Sequence, residues 1–227
     1  MIGNWPAPLP DGSTSDEMVV KFDSGRSERL LIIPPLFEEA NTLRRFTIEV
    51  MRRLDESGKD TFLPDLAGLN ESLAPLAGQS LSNWQRSVSA AQLQFGATHI
   101  LGIRSGALLL APDNANGFVY APQSGANLLR NMLRARIIAS REYGIEETTE
   151  QLSEEGRVGG LELAGWAIGS TLFRELETAK FEAREKCIEI EQDRLGGAGL
   201  WLRAEPADDD NQSRKLALLI QSEMSIR

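Results

Sequence analysis

Short apolar runs alternate with amphipathic segments along most of the chain. All residues from Leu30 to Ile33 are apolar, which is typical of a strand covered on both faces. The next segment repeats apolar residues at a period close to 3.6 and ends at Gly58, which predicts a helix. The change from strand to helix recurs after "THILGI" and after "GFVYAP". This alternation predicts an α/β fold, a mostly parallel sheet with helices on both faces.

Two segments depart from that alternation. Residues 1–15 are rich in proline and polar side chains, and we expect them to form an exposed lead-in. Residues from about 125 to 179 hold two helical patterns with a polar joint, between two predicted strands. We expect this segment to be a small helical insert or cap over a site. Nearer the end, "CIEI" and "AGLWLRAE" are predicted as strands, and the segment from "DDD" onward as a closing helix. The length of 227 residues suits a single domain.

Composition narrows the class of protein. The net charge of −9 disfavours binding to nucleic acid or anionic lipid. The single cysteine, Cys187, excludes an internal disulfide and suits a reducing cytoplasm. No apolar run approaches the roughly 20 residues of a membrane span, and the N-terminus lacks a signal-peptide pattern. Because P-loop, dinucleotide and zinc motifs are absent from the sequence, we expect no cofactor and no metal.

The stretch "THILGIRSGALLLA" holds the most informative turn. A strand, a Gly-flanked turn and a helix are the layout that presents the nucleophile in G-x-S-x-G hydrolases. Here Gly102 and Gly106 flank Arg104, and Ser105 comes one residue late. With Ser105 in the centre, the β-branched Ile103 would take a place that needs a small residue. The pattern therefore favours Arg104 at the apex. The alternative is an ordinary strand-to-helix loop in which Ser105 is the N-cap of the helix.

A serine nucleophile needs a general base, and the sequence offers little choice. The one histidine, His99, precedes the expected apex by five residues. At about 3.3 Å per strand residue, that is more than ~15 Å away. The region after the last predicted strand holds Glu205 and Asp208 but no histidine, and a carboxylate is a weak base for a hydroxyl. Asp193 follows a strand, where the acid of a triad often lies, but it lacks a base to orient. We keep Ser105 and Asp193 as catalytic candidates.

Arg104 also needs a partner, because a charge at the carboxyl edge of a sheet is costly unless matched. The candidates by topology are Glu38 and Glu39, after the first buried strand, and Asp65, after the next. One interpretation is an internal ion pair that plugs the site. The other is an arginine that binds a carboxylate or phosphate beside a helix N-terminus.

Several segments resemble, in order, the second type of exosortase A system-associated hydrolases. The segment "LLIIPPLFEEANTLRRF" is similar to the family's pattern P-P-F-x-E-E-x-N-x-x-R-R. Further matches extend from about Leu30 to Glu205: "LPDLAG", "LGIRSGALLLA", "APQSGANLLRNMLRAR", "LELAGWAIGSTL" and, more loosely, "GLWLRAE". The resemblance implies an α/β-hydrolase fold and a setting in bacterial exopolysaccharide production.

The sequence therefore favours a hydrolase-like protein without a complete Ser-His-acid triad, a pseudoenzyme with an accessory or binding role. Its expected ligand is an anionic small molecule or an acyl or sugar conjugate held near Arg104. An esterase, thioesterase or acyltransferase that uses Ser105 is the alternative, and a structural protein without a ligand is a third possibility. The oligomeric state stays open.

Overall fold

One mixed sheet forms the centre of the molecule. The structure is a computed structural model that describes residues 1–111, 116–203, 205–207 and 209–224. Within these residues, the sheet order is β1-β2-β4-β3-β5-β6-β9. The first two pairs are antiparallel, and β4, β3, β5, β6 and β9 run parallel. The strands are β1 (Ile2–Pro8), β2 (Thr14–Phe22), β3 (Arg29–Ile33), β4 (Asp60–Pro64), β5 (His99–Ile103), β6 (Gly117–Tyr120) and β9 (Cys187–Ile190).

Helices cover both faces of this sheet, as the alternating pattern predicts. Leu30 and Ile32 of β3 pack on one side with α1 and α7, and Leu31 and Ile33 pack on the other with α2 and α3. Both faces of β3 are thus buried, which explains its continuous apolar run. The helices are α1 (Glu38–Glu56), α2 (Leu81–Gln94), α3 (Gly125–Glu142), α4 (Thr149–Gly159), α5 (Ser170–Thr178), α6 (Gln192–Leu195) and α7 (Asp210–Met224).

The expected exposed lead-in at residues 1–15 is wrong. Ile2–Pro8 form the edge strand β1, paired with β2. The side chain of Trp5 is 1% exposed, and its indole N–H donates to the carbonyl of Asp65 at 3.0 Å. Pro6 and Pro8 are compatible with this strand because an edge strand tolerates residues that lack an N–H group. The proline content led to the prediction of an irregular segment, although Trp5 and Ala7 are buried alternately with exposed neighbours, as in a strand.

The expected insert contains more structure than two helices. Between β6 and β9 lie α3, α4, α5 and a short hairpin, β7 (Leu161–Leu163) with β8 (Trp166–Ile168). Its two ends meet where the N–H of Gly125 donates to the carbonyl of Ala179 at 2.9 Å. Leu128 and Phe173 of the insert belong to the same apolar cluster as Trp84 of α2. The insert is therefore packed onto the sheet domain through a shared core.

The predicted strand "AGLWLRAE" is also wrong. The described part of it holds a 3-10 turn, Leu200–Leu202, that places Trp201 near the end of β6 rather than in the sheet. The closing helix begins at Asp210, and Asp208 lies outside the described residues.

Candidate functional site

The turn after β5 places Arg104 at its apex. Arg104 has a φ of 54°, a conformation that is unfavourable for a residue with a side chain. The flanking glycines make this turn possible. A Cβ on Gly106 would lie 2.4 Å from the carbonyl oxygen of Pro34, and one on Gly102 would lie 2.8 Å from the Cα of Ala107. The tight turn thus presses against the end of β3, and small residues are required on both sides of Arg104.

A 3-10 helix, Arg104–Leu109, follows this turn in place of the longer helix that is usual for a nucleophile turn. A six-residue 3-10 segment lacks the aligned peptide dipoles of a long α-helix. This segment therefore offers little of the anion-binding N-terminus that one interpretation of Arg104 requires.

Ser105 is buried, and its hydroxyl already has a partner. Its side chain is fully enclosed, and its Oγ accepts a hydrogen bond from the backbone N–H of Leu36 at 2.9 Å. Leu36 lies in the loop after β3, which in this fold supplies a donor to the oxyanion formed during acyl transfer. The hydroxyl of Ser105 thus occupies a donor that catalysis would need.

His99 lies at the opposite end of β5 from this turn. It pairs with Leu30 at the start of the strand, its Nδ1 is 2.9 Å from the hydroxyl of Thr98, and its ring stacks on Phe118. Because this is the one histidine in the sequence, Ser105 cannot draw on an imidazole of its own chain as general base.

The guanidinium of Arg104 is held by three kinds of contact. It donates to both carboxylate oxygens of Glu39, at 3.1 and 3.3 Å, and to the carbonyl of Ala121 at 2.9 Å. Its planar group lies 4.0 Å from the ring centroid of Trp201, a cation–π contact. In the amide orientation that satisfies its neighbours, Gln123 also donates to Glu39, at 3.2 and 3.3 Å. The charge of Arg104 is therefore matched inside the protein.

The other predicted acids are dispersed. Glu38 is exposed at the start of α1, and Asp193 is exposed in the short helix α6. Asp65 is buried and contacts Arg44 at 3.5 Å and Asn70 at 2.9 Å, rather than Arg104. Burial raises the pKa of Asp65, although its contacts with Asn70 and Arg44 oppose the shift. Of the predicted site residues, the structure brings together Arg104, the neighbouring Ser105, and Glu39 in the first turn of α1.

The sequence patterns missed four residues of this region: Ala121, Gln123, Trp201 and Tyr120. The hydroxyl of Tyr120 donates to Gln192, and burial raises the pKa of Tyr120. The ring of Tyr120 meets that of Trp201 at 6.0 Å between centroids. Nothing local in the segment "GLWLRAE" indicates that its tryptophan covers Arg104.

An open cleft of about 330 Å³ lies beside Arg104, between the start of α1, the insert and the turn at Trp201. We call this space the aromatic cleft. Its wall combines three aromatic rings with apolar and polar side chains, among them Phe37, Trp166, Trp201, Leu128, Met132, Glu38, Glu39, Thr42, Asn131 and Arg203. Within the described residues, no group of His, Cys, Asp and Glu side chains is arranged to hold a metal ion.

None of the described helices combines the length and the apolar character that crossing a membrane requires. No family model matches the sequence, and no curated protein matches it.

Solved structures share the arrangement of strands and helices. Alpha/beta hydrolase domain-containing protein 10 from mouse matches with a TM-score of 0.60 and 11% identity, over 100% of this chain and 99% of the mouse chain. A protein from Agrobacterium vitis S4 named as a hydrolase matches with a TM-score of 0.55 and 12% identity, over 99% of each chain. The bottromycin epimerase BotH, in complex with bottromycin A2, matches with a TM-score of 0.53 and 13% identity, over 99% of this chain and 98% of the epimerase chain. At such identities the likeness shows the fold alone, and this chain has the α/β-hydrolase fold.

Proposed function

We propose that this chain is a non-hydrolytic α/β-hydrolase-fold protein that binds a ligand in the aromatic cleft. The observation that carries the proposal is the state of the turn after β5. Arg104 stands at the apex with its charge matched by Glu39, and the neighbouring hydroxyl of Ser105 accepts the N–H of Leu36. An arginine cannot act as the nucleophile of acyl transfer, the one histidine of the sequence lies at the far end of β5 from Ser105, and the N–H of Leu36 is already engaged by the Ser105 hydroxyl.

The contacts of Arg104 also favour an internal ion pair that plugs the site over an arginine that binds an anionic ligand. A receptor arginine must present a free guanidinium edge to a carboxylate or phosphate. Here two of its donors face Glu39 and another faces a backbone carbonyl, while Trp201 covers the plane. An incoming anion would have to displace a bidentate carboxylate that is already in place, which weighs against an anionic ligand.

The setting that we propose is exopolysaccharide production in the cytoplasm of a bacterium. It rests on the ordered resemblance to the exosortase A system-associated hydrolases, and the fold of the chain is compatible with it. We likewise propose that the ligand is a small molecule, such as an acyl or sugar conjugate, and that the chain binds neither nucleic acid nor a cofactor. We propose that the chain forms one domain in which the segment from about 125 to 179 covers the site.

The test of the non-hydrolytic role is chemical. We expect purified protein to give no turnover above background on a panel of nitrophenyl esters and thioesters, and no covalent labelling by a fluorophosphonate probe. Ser105→Ala serves as the matched control, after circular dichroism has shown that it folds. Turnover or labelling that disappears in Ser105→Ala would establish the alternative, a serine esterase, thioesterase or acyltransferase.

A second test addresses the biological setting. Deletion of the coding gene in its native host is expected to lower exopolysaccharide output, and both the wild-type chain and Ser105→Ala are expected to restore it. Unchanged output after deletion would remove the link to exopolysaccharide. Restoration by the wild type but not by a folded Ser105→Ala would indicate catalysis instead.

A further inference from the structure

The aromatic cleft combines ring surfaces with side chains that still have hydrogen-bonding capacity. Trp166 of β8 and Trp201 of the 3-10 turn are half-buried in its wall, and Phe37 lies beneath Trp166 with 5.5 Å between the ring centroids. In the described part of the chain, the carboxylate of Glu38 and the amide of Asn131 have no hydrogen-bond partner. A ligand here meets aromatic surface on one side and open polar groups at the rim.

The charges around the cleft balance. Glu39 is neutralised by Arg104, and the exposed carboxylate of Glu38 is offset by the exposed guanidinium of Arg203. Because these formal charges sum to zero, the net charge of the lining favours neither an anion nor a cation. Arg104 cannot offer a free guanidinium to an anion because Glu39 already engages it, and the charge of Arg203 is offset by that of Glu38.

The polar rim also disfavours a purely hydrocarbon ligand. An alkyl chain that filled the cleft would take the side chains of Glu38 and Asn131 out of water without giving them a partner. The volume of about 330 Å³ lies at the lower end of the range for small-molecule sites, ~300–1,000 Å³, and suits a ligand of one or two rings.

We propose that the aromatic cleft binds an uncharged ring-shaped ligand with an apolar face and a hydroxyl-bearing edge, the chemistry of a neutral glycoside. The ring packs on the tryptophans, and its hydroxyl groups bond to Asn131 and Glu38. The inference rests on the proposed binding function and specifies its ligand class. It concerns the charge and the shape of the ligand, and the proposal of a non-hydrolytic role specifies neither.

Tryptophan fluorescence can measure this binding directly. The chain has four tryptophans, of which Trp5 and Trp84 are at most 1% exposed and do not line the cleft, although Trp84 packs behind Phe37. A change in emission that is lost in Trp166→Ala therefore reports on the cleft. The probes are methyl β-glucopyranoside and cellobiose, compared with glucose 1-phosphate and octanoate at equal ionic strength. We expect a saturable change with the neutral sugars, and a weaker response to the two anions.

Two variants locate the site. Trp166→Ala removes a ring, and Asn131→Ala removes an exposed amide at a helical position where alanine is well tolerated. Each is expected to weaken cellobiose binding about tenfold by isothermal titration calorimetry, because ring stacking and a hydrogen bond are each worth about that factor. Leu93→Ala is the control, since Leu93 is 84% exposed on α2, outside the cleft. It should leave the dissociation constant unchanged.

Three results would overturn the inference: no saturable response to either neutral sugar, tighter binding of glucose 1-phosphate than of cellobiose, or unchanged binding in both folded variants. Each is independent of the ester panel. A protein that binds cellobiose in the cleft and also hydrolyses esters through Ser105 would refute the proposed function alone. A protein that does neither would refute the ligand class alone.

Discussion

Arg104 and its two flanking glycines define the site at the scale of single residues. Gly106 approaches the end of β3 so closely that a methyl group would overlap the carbonyl oxygens of Ile33 and Pro34, at 2.5 and 2.4 Å. Backbone atoms of a central strand cannot move aside as a flexible side chain can. Position 106 therefore accepts only glycine, because any side chain would overlap these two carbonyl oxygens.

We predict that Gly106→Ala lowers the free energy of unfolding by about 2–4 kcal/mol, since overpacking against backbone forces a shift of the turn. Urea denaturation followed by circular dichroism measures the change. Gly159→Ala is the matched control, because a Cβ there meets nothing within 4 Å and the residue is helical. It should be neutral or slightly stabilising. Equal effects of the two substitutions would show that the turn is not tightly packed.

A second prediction concerns the ion pair at the apex. The side chains of Arg104 and Glu39 are 12% and 18% exposed, so that little water screens their interaction. A double-mutant cycle with Arg104→Ala and Glu39→Ala should give a coupling free energy of about 1–3 kcal/mol. The exposed pair Arg52 and Glu49, three residues apart on α1, should give about 0.3–0.5 kcal/mol in the same assay. A coupling at the apex as small as that of the surface pair would argue against the plug.

At the scale of elements, β1 extends the sheet and helps to position the loop after β4. Trp5 packs in the main apolar cluster, and its indole N–H holds the backbone of Asp65. We predict that Trp5→Ala lowers the free energy of unfolding by about 3–5 kcal/mol, the range for deletion of a buried aromatic ring. Ile2→Ala in the same strand, where the side chain is 70% exposed, should cost little. A small effect of Trp5→Ala in chemical denaturation would restore the view of residues 1–15 as a lead-in.

The elements that could be predicted from sequence are those whose signal is local. The continuous apolar run of β3, the period of α1 and the two glycines around Arg104 each lie within a short stretch, and the structure has them in place. The hairpin β7–β8 has three residues on each strand, too few for a period to appear. Proline content masked β1, although Trp5 and Ala7 alternate in burial as a half-covered strand requires.

The residues that contact the guanidinium of Arg104 could not be predicted in the same way. Glu39, Ala121 and Trp201 come from three separate elements that the sheet order brings to one edge. Sequence position alone proposed Glu38, Glu39 and Asp65 as partners, and the fold selected Glu39 because Asp65 is already engaged by Arg44 and Asn70. Selection among several acids depends on geometry that no single motif contains.

At the scale of the whole molecule, two carboxylates make stability depend on pH in opposite directions. Burial raises the pKa of Asp65 above its ordinary value of 3.8, with the nearby Glu17 adding to the shift and Asn70 and Arg44 opposing it. The hydrogen bonds from Arg136 and Ser140 lower the pKa of Glu147 from 4.5 to about 2. The folded state therefore favours the neutral form of Asp65 and the ionised form of Glu147.

The sign of each contribution follows from linkage. A raised folded pKa means that the contribution of Asp65 is complete below 3.8 and is lost as the pH rises through the folded value. A lowered folded pKa means that the contribution of Glu147 is complete above 4.5 and is lost as the pH falls to about 2. We predict that Asp65→Asn removes the loss of stability that begins as the pH rises above 3.8, since asparagine stays neutral, while Glu147→Gln removes a loss between pH 4.5 and pH 2. Urea midpoints across this range, with the wild type as reference, measure both slopes. If Asp65→Asn leaves the dependence of the urea midpoint on pH unchanged above pH 3.8, the buried carboxylate of Asp65 is not the group that titrates there.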